Sequence, residues 1–94
     1  MIELLTANTP NGKKISIMLE EIGFEYKFTK ININKDEQFN PEFKKISPFS
    51  KTPVIIDHTN NQSLFESGAI LIYLGEQSGK FYDKDQRTII NQWL

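Results

Sequence analysis

The sequence predicts an α/β fold of order β-α-β-α-β-β-α, built around one mixed four-stranded sheet with helices on both faces. Three observations carry this expectation. Two β-rich runs, Ile2-Glu3-Leu4-Leu5 and Tyr26 to Ile33, flank an amphipathic helical pattern, which suits a right-handed parallel crossover. Two further runs, Val54-Ile55-Ile56-Asp57 and Ser63-Leu64-Phe65, are joined by an Asn60-Asn61 turn and read as an antiparallel hairpin. A last core helix follows that hairpin without a linker.

Each element has local support. Thr9 is a good N-cap, and Pro10 suits the first helical position. Ile15, Met18, Leu19 and Ile22 then recur at helical spacing until Gly23 closes the segment. The run from Tyr26 to Ile33 alternates, with a slip of phase near Lys30. Asn40-Pro41 opens a short helix carrying Phe43 and Ile46, which stops before Pro48. The hairpin leads to a helix from Gly68 to Gln77, with Ser67 as its cap. Ile70, Leu71, Tyr73 and Leu74 lie inside it, and Gly79 ends it.

The tail departs from this economy. Asp83 can cap a further helix from Lys84 to Leu94, with Gln86 as a capping-box partner. Its stripe of Ile89, Ile90, Trp93 and Leu94 has no evident place on the small sheet, and the chain stops in mid-stripe. The expectation is a fragment, or a stripe covered by another chain.

Composition narrows the function classes. Ninety-four residues allow one small core, 38% of them are hydrophobic, and the net charge is −1. No basic stripe suggests nucleic acid, and neither a membrane span nor a secretory signal is visible. The chain has no cysteine, so no protein thiol can serve as nucleophile or metal ligand. That suits a reducing cytoplasm. Nothing has metal spacing, a phosphate loop or a Ser/His/Asp set.

The candidate site begins at Leu64-Phe65-Glu66-Ser67-Gly68-Ala69. Glu66 offers an anion to a ligand ammonium. Ser67 offers its hydroxyl, and the helix start its free N–H groups, to a ligand carboxylate. An amino-acid head fits such a pair. The bland alternative is simple capping by Ser67 with Glu66 in solvent. Upstream, Thr52-Pro53 precedes a β-branched strand and suits a cis peptide bond that turns Val54 toward an extended peptide; a trans proline opening the strand is the alternative. Thr9 and Asn11 flank the start of the first helix, whose field favours an anion such as a thiolate. A free thiol titrates near ~8.5, and each unit of lowering is worth about 1.4 kcal/mol. One hydrogen bond to a charged group supplies about 1.5–3 kcal/mol. Either side chain would act by donating a hydrogen bond. Lys51 is placed to meet a far carboxylate, with Gln38 as a helper. His58 has no nucleophile or carboxylate partner in the sequence and is set aside.

These motifs, with Thr9-Pro10-Asn11-Gly12, Pro41-Glu42-Phe43, Ile46-Ser47-Pro48 and Lys51-Thr52-Pro53-Val54, resemble the N-terminal, thioredoxin-like domain of glutathione S-transferases. Within that family they resemble the bacterial nu class and its yeast Ure2-like relatives. The resemblance implies that Glu66 and Ser67 hold the γ-glutamyl end of glutathione, Val54 the cysteinyl backbone, and Lys51 with Gln38 the glycyl carboxylate, with Thr52 and Pro53 also among the glutathione-binding residues. Thr9 and Asn11 would face the sulfur. No tyrosine precedes Tyr26, so the family's common catalytic tyrosine is absent. That departure fits glutathione-dependent disulfide reduction. The resemblance further implies a disulfide or electrophilic co-substrate, a homodimer in the full-length protein, and no bound metal. It divides the chain into a glutathione-binding domain, 1–80, and a segment, 81–94, that begins an all-helical second domain. The competing reading is a non-catalytic relative that serves protein association.

Overall fold

A computed structural model describes residues 1–94. Strand β1 (Ile2–Thr6) leads into helix α1 (Pro10–Ile22) and back to β2 (Tyr26–Lys30). The short helix α2 (Pro41–Lys44), the hairpin β3 (Val54–Asp57) and β4 (Gln62–Phe65), and helix α3 (Ser67–Ser78) complete the domain. The sheet order is β2-β1-β3-β4. β1 runs parallel to β2 and antiparallel to β3, and β3 is antiparallel to β4. The expected mixed four-stranded, thioredoxin-like sheet is therefore present.

Helix α1 shows how local sequence sets the elements. The Thr9 hydroxyl accepts from the Gly12 N–H, and Pro10 occupies the first turn, where no intrahelical donor is needed. At the other end Gly23 adopts φ 74°. The N–H groups of Gly23 and Phe24 then bond back to the carbonyls of Glu20 and Leu19, which closes the helix in a Schellman motif.

Alternation along the strands divides the interior in two. On one face Ile2, Leu4 and Ile55 pack with Ile15, Leu19 and Ile22 of α1 and with Ile70 and Leu74 of α3. On the other face Ile31, Val54 and Phe43 of α2 form a smaller cluster with Leu5 and Ile46. Helices thus cover both faces.

Three expectations are corrected. β2 ends at Lys30 rather than Ile33. Beyond it, the Asn32 side chain accepts from the Asn34 N–H while its own N–H donates to the Glu37 carboxylate at 2.6 Å. These local bonds favour a 3₁₀ turn, Ile33–Lys35, over a longer strand. Ser67 is not the cap of α3 but its first residue, and Glu66 holds the cap position. The expected helix Lys84–Leu94 is broken. The Asp83 carboxylate accepts from the Asp85 N–H, so the start is a 3₁₀ turn, Lys84–Gln86, followed by a five-residue α4 (Arg87–Asn91). Its final turn lacks a packing surface: Trp93 is 82% exposed, and packing normally holds so short a helix. No helix is long and apolar enough to cross a membrane.

Candidate functional site

The sheet register brings three connections to one end. Leu5 pairs with Val54, and Val54 pairs with Phe65, so the end of β1, the start of β3 and the end of β4 lie side by side. The first turn of α1, the loop before β3 and the first turn of α3 therefore converge. Together they line a cleft of Asn11, Ser47, Phe49, Lys51, Thr52, Pro53, Phe65, Glu66 and Ser67.

The α3 wall presents free helix-start donors. Glu66 has φ 73° and ψ 115° and gives no side-chain cap. The first donor of the helix to find an acceptor is the Ile70 N–H, which bonds the Glu66 carbonyl at 3.0 Å. The N–H groups of Ser67, Gly68 and Ala69 therefore lack backbone acceptors and carry the positive end of the helix dipole. Glu66 is exposed and lines the same cleft as Ser67. A positive φ at a non-glycine residue costs about 1–3 kcal/mol, and such strain concentrates at functional sites. The pair can meet both charges of a zwitterion.

The opposite wall is the loop from Ser47 to Pro53. Thr52-Pro53 is a cis peptide bond, as the sequence led one to expect. Thr52 makes no hydrogen bond within the chain through its N–H or its C=O, so both are free to an extended ligand. Val54 is a correction. It is fully buried and flanked by Leu5 on one side and Phe65 on the other, which leaves no open edge. Thr52, not Val54, is the residue with free backbone groups.

At α1, Asn11 is exposed on the cleft. Thr9 does not line it, because its hydroxyl oxygen is drawn under the first turn by the Gly12 N–H at 3.2 Å. Gly12 permits that packing: a Cβ there would lie 2.7 Å from the Ala7 carbonyl oxygen and would also collide with the Thr6 hydroxyl. Gln38 is likewise outside the cleft. It sits in a 3₁₀ turn, Glu37–Phe39, where its Oε1 is shielded from solvent without a partner.

The fold thus brings Asn11, Lys51, Thr52, Pro53, Glu66 and Ser67 together and leaves Thr9, Gln38 and Val54 off the surface of the cleft. Sequence reasoning missed Ser47, Phe49 and Phe65. Ser47 and Phe65 fell within the quoted motifs, Ser47 at a helix stop before Pro48 and Phe65 at the end of a strand, but neither was given a part in the site. Phe49 did carry a signal, being an aromatic in a polar loop with no element face to bury it.

Groups with displaced titration lie at the far end of the sheet. The Tyr73 hydroxyl donates to Asp57 Oδ2 at 2.6 Å and holds that buried carboxyl below its usual range. Glu3 is lowered by its bonds from the Thr29 hydroxyl, at 2.7 Å, and from His58, at 2.9 Å. His58 therefore does have a carboxylate partner, but away from the cleft. No three His, Cys, Asp or Glu side chains are grouped as metal ligands.

Residues 2–76 match the family described as "Glutathione S-transferase, N-terminal domain". The chain is 46% identical over 101 residues to "Disulfide-bond oxidoreductase YfcG" of Escherichia coli strain K12, which covers 100% of this chain and 47% of that protein. It is 36% identical over 99 residues to "Transcriptional regulator URE2" of Saccharomyces cerevisiae, over 93% of this chain and 27% of that one. Among solved structures, a glutathione transferase from Pseudomonas putida superposes with a TM-score of 0.91 at 46% identity, over 98% of this chain and 43% of the other. That crystal holds one glutathione disulfide per protein subunit. The chain therefore spans less than half the length of each of these relatives.

Proposed function

This chain belongs to the glutathione S-transferase family through its N-terminal domain, and from that premise we propose that it is the glutathione-binding domain of an enzyme for glutathione-dependent disulfide reduction or conjugation. One observation carries the reading: a carboxylate and a set of unpaired helix N–H groups face, across one cleft, a residue whose backbone N–H and C=O are both free. In this reading Glu66 takes the ammonium of the γ-glutamyl end, and the Ser67 hydroxyl with the α3 amides takes its carboxylate. Thr52, held beside Pro53, takes the cysteinyl backbone in the role first given to Val54. Lys51 meets the glycyl carboxylate. The sulfur then lies toward α1, where Asn11 donates to it, and Thr9 acts by holding the turn in place.

The chemistry needs no protein thiol. The glutathione thiolate attacks one sulfur of an acceptor disulfide; a new S–S bond forms as the old one breaks, and the departing thiolate takes a proton from water. A second glutathione thiolate attacks the mixed disulfide, yielding glutathione disulfide and the second reduced thiol. The protein lowers the thiol pKa and aligns the sulfurs. The similarity to an oxidoreductase and to a transferase holding glutathione disulfide supports this choice. Residues 81–94 begin an all-helical second domain that supplies the acceptor wall, and the full-length protein is a cytoplasmic homodimer that binds neither nucleic acid nor membrane.

A non-catalytic association module is the second reading, favoured by the similarity to a protein named as a transcriptional regulator and by the missing tyrosine. Calorimetric titration with glutathione separates the two. The folded chain should bind, and Ser67→Ala should weaken binding roughly tenfold or more, the worth of one hydrogen bond to a charged group. No binding by a folded chain would leave only the association module.

A further inference from the structure

Ser47 makes a contact that its sequence gave no reason to expect. It is 1% exposed, yet it lines the cleft. Its hydroxyl donates to the Lys51 carbonyl at 2.7 Å and accepts from the Lys51 N–H at 3.0 Å. One side chain thus satisfies both backbone groups of the same residue, four positions on. The loop between them is closed further by the Ser50 N–H, which bonds the Ser47 carbonyl at 2.9 Å while Ser50 adopts φ 57°. Ser47 is itself anchored, its N–H bonding the carbonyl of the buried Phe43 at 2.9 Å. The clamp therefore ties Lys51 to the core under α2.

The tip of the same loop reaches across the cleft. Phe49, 70% exposed, meets the ring of Phe65 edge-on at a centroid distance of 6.1 Å. Phe65 immediately precedes Glu66. The loop is thus held at its base by Ser47 and at its tip by the residue next to the α3 wall.

We propose that Ser47 is a positioning residue for glutathione: by fixing both backbone groups of Lys51 it holds that ammonium over the glycyl end of the ligand. This rests on the glutathione reading above and deepens it. A lysine on an unclamped loop would be a weak partner, because a long side chain must be ordered before it can bind. With its backbone fixed, that cost is partly met before the ligand arrives.

The test compares two ligands on the 94-residue chain: glutathione, and γ-glutamylcysteine, which lacks the glycyl carboxylate. Ser47→Ala should weaken glutathione about tenfold, the loss expected when a hydrogen-bonded charge contact is released, and change γ-glutamylcysteine by less than about twofold. Lys51→Met should show the same selectivity, and the double variant should be no worse than Lys51→Met alone, since one residue acts through the other. Should Ser47→Ala fail to fold, by circular dichroism, Ser47→Cys carries the same comparison with nearly the same volume and weaker bonds. An equal loss for both ligands, or additive losses in the double variant, overturns the proposal. If the wild-type chain binds γ-glutamylcysteine and glutathione equally, Lys51 meets no glycyl carboxylate and the proposal also falls. If it binds neither, the glutathione reading itself has failed.

Discussion

Glu66 is the residue in which strain and proposed function meet. Its backbone lies at φ 73°, a region that side chains with a Cβ avoid, and it does not cap the helix it introduces. Nothing in its local chemistry explains that conformation, whereas a ligand ammonium would explain the carboxylate. Replacing it with glycine should therefore separate stability from function. Glu66→Gly relieves the strain but adds freedom to the unfolded chain, and the balance should stabilise the fold by about 1 kcal/mol in denaturant titration. Glutathione binding should fall sharply in the same variant. A loss of stability would mean that the side chain supports the fold instead. Sequence alone singled out Glu66 and Ser67 because an anion and a hydroxyl side by side at a helix start suit an amino-acid head, although simple capping gives the same residue pair. It misassigned their capping roles, since the backbone angle that makes Glu66 the cap residue leaves no trace in residue type. Val54 failed for a related reason: a β-branched run marks a strand but does not say which of its residues retains free backbone groups.

At the scale of elements, β3 and α3 are linked by the bond from Tyr73 to Asp57, with the Asn60 amide donating to the Tyr73 hydroxyl at 3.2 Å. The Asp57 carboxyl is held below its ordinary value, mainly by that hydroxyl, so its contribution is present above the unfolded-state pKa, near ~3.9, and is lost as pH falls through the lower folded value. The Tyr73 hydroxyl is raised by burial and by Asp57, so its part is present below ~10 and is lost as pH rises through its higher folded value. Tyr73→Phe should reduce stability by about 1–3 kcal/mol at neutral pH, measured by urea unfolding. The difference from wild type should shrink in acid once Asp57 is protonated. A difference that persists unchanged through the acid range would remove the charge from the explanation. This link was illegible in the sequence, because Asp57 read as the polar end of a strand and Tyr73 as one more residue on the core face of a helix.

For the whole molecule, the order of elements was legible because each boundary carries its own chemistry: Thr9-Pro10 and Gly23 around α1, Asn40-Pro41 at α2, and Asn60-Asn61 between β3 and β4. The tail was not, since Ile89 of α4 and Trp93 and Leu94 beyond it are all exposed, which leaves little packing to set the length of the helix. The proposed glutathione binding rests on free backbone groups at the end of the sheet where three connections meet. Amide-resolved NMR during a glutathione titration tests it most directly. The largest shifts should fall at the amides of Thr52, Ser67, Gly68 and Ala69, with Asp57 and Tyr73 at the far end left unmoved. Shifts centred elsewhere, or none at these amides at saturating ligand, would contradict it.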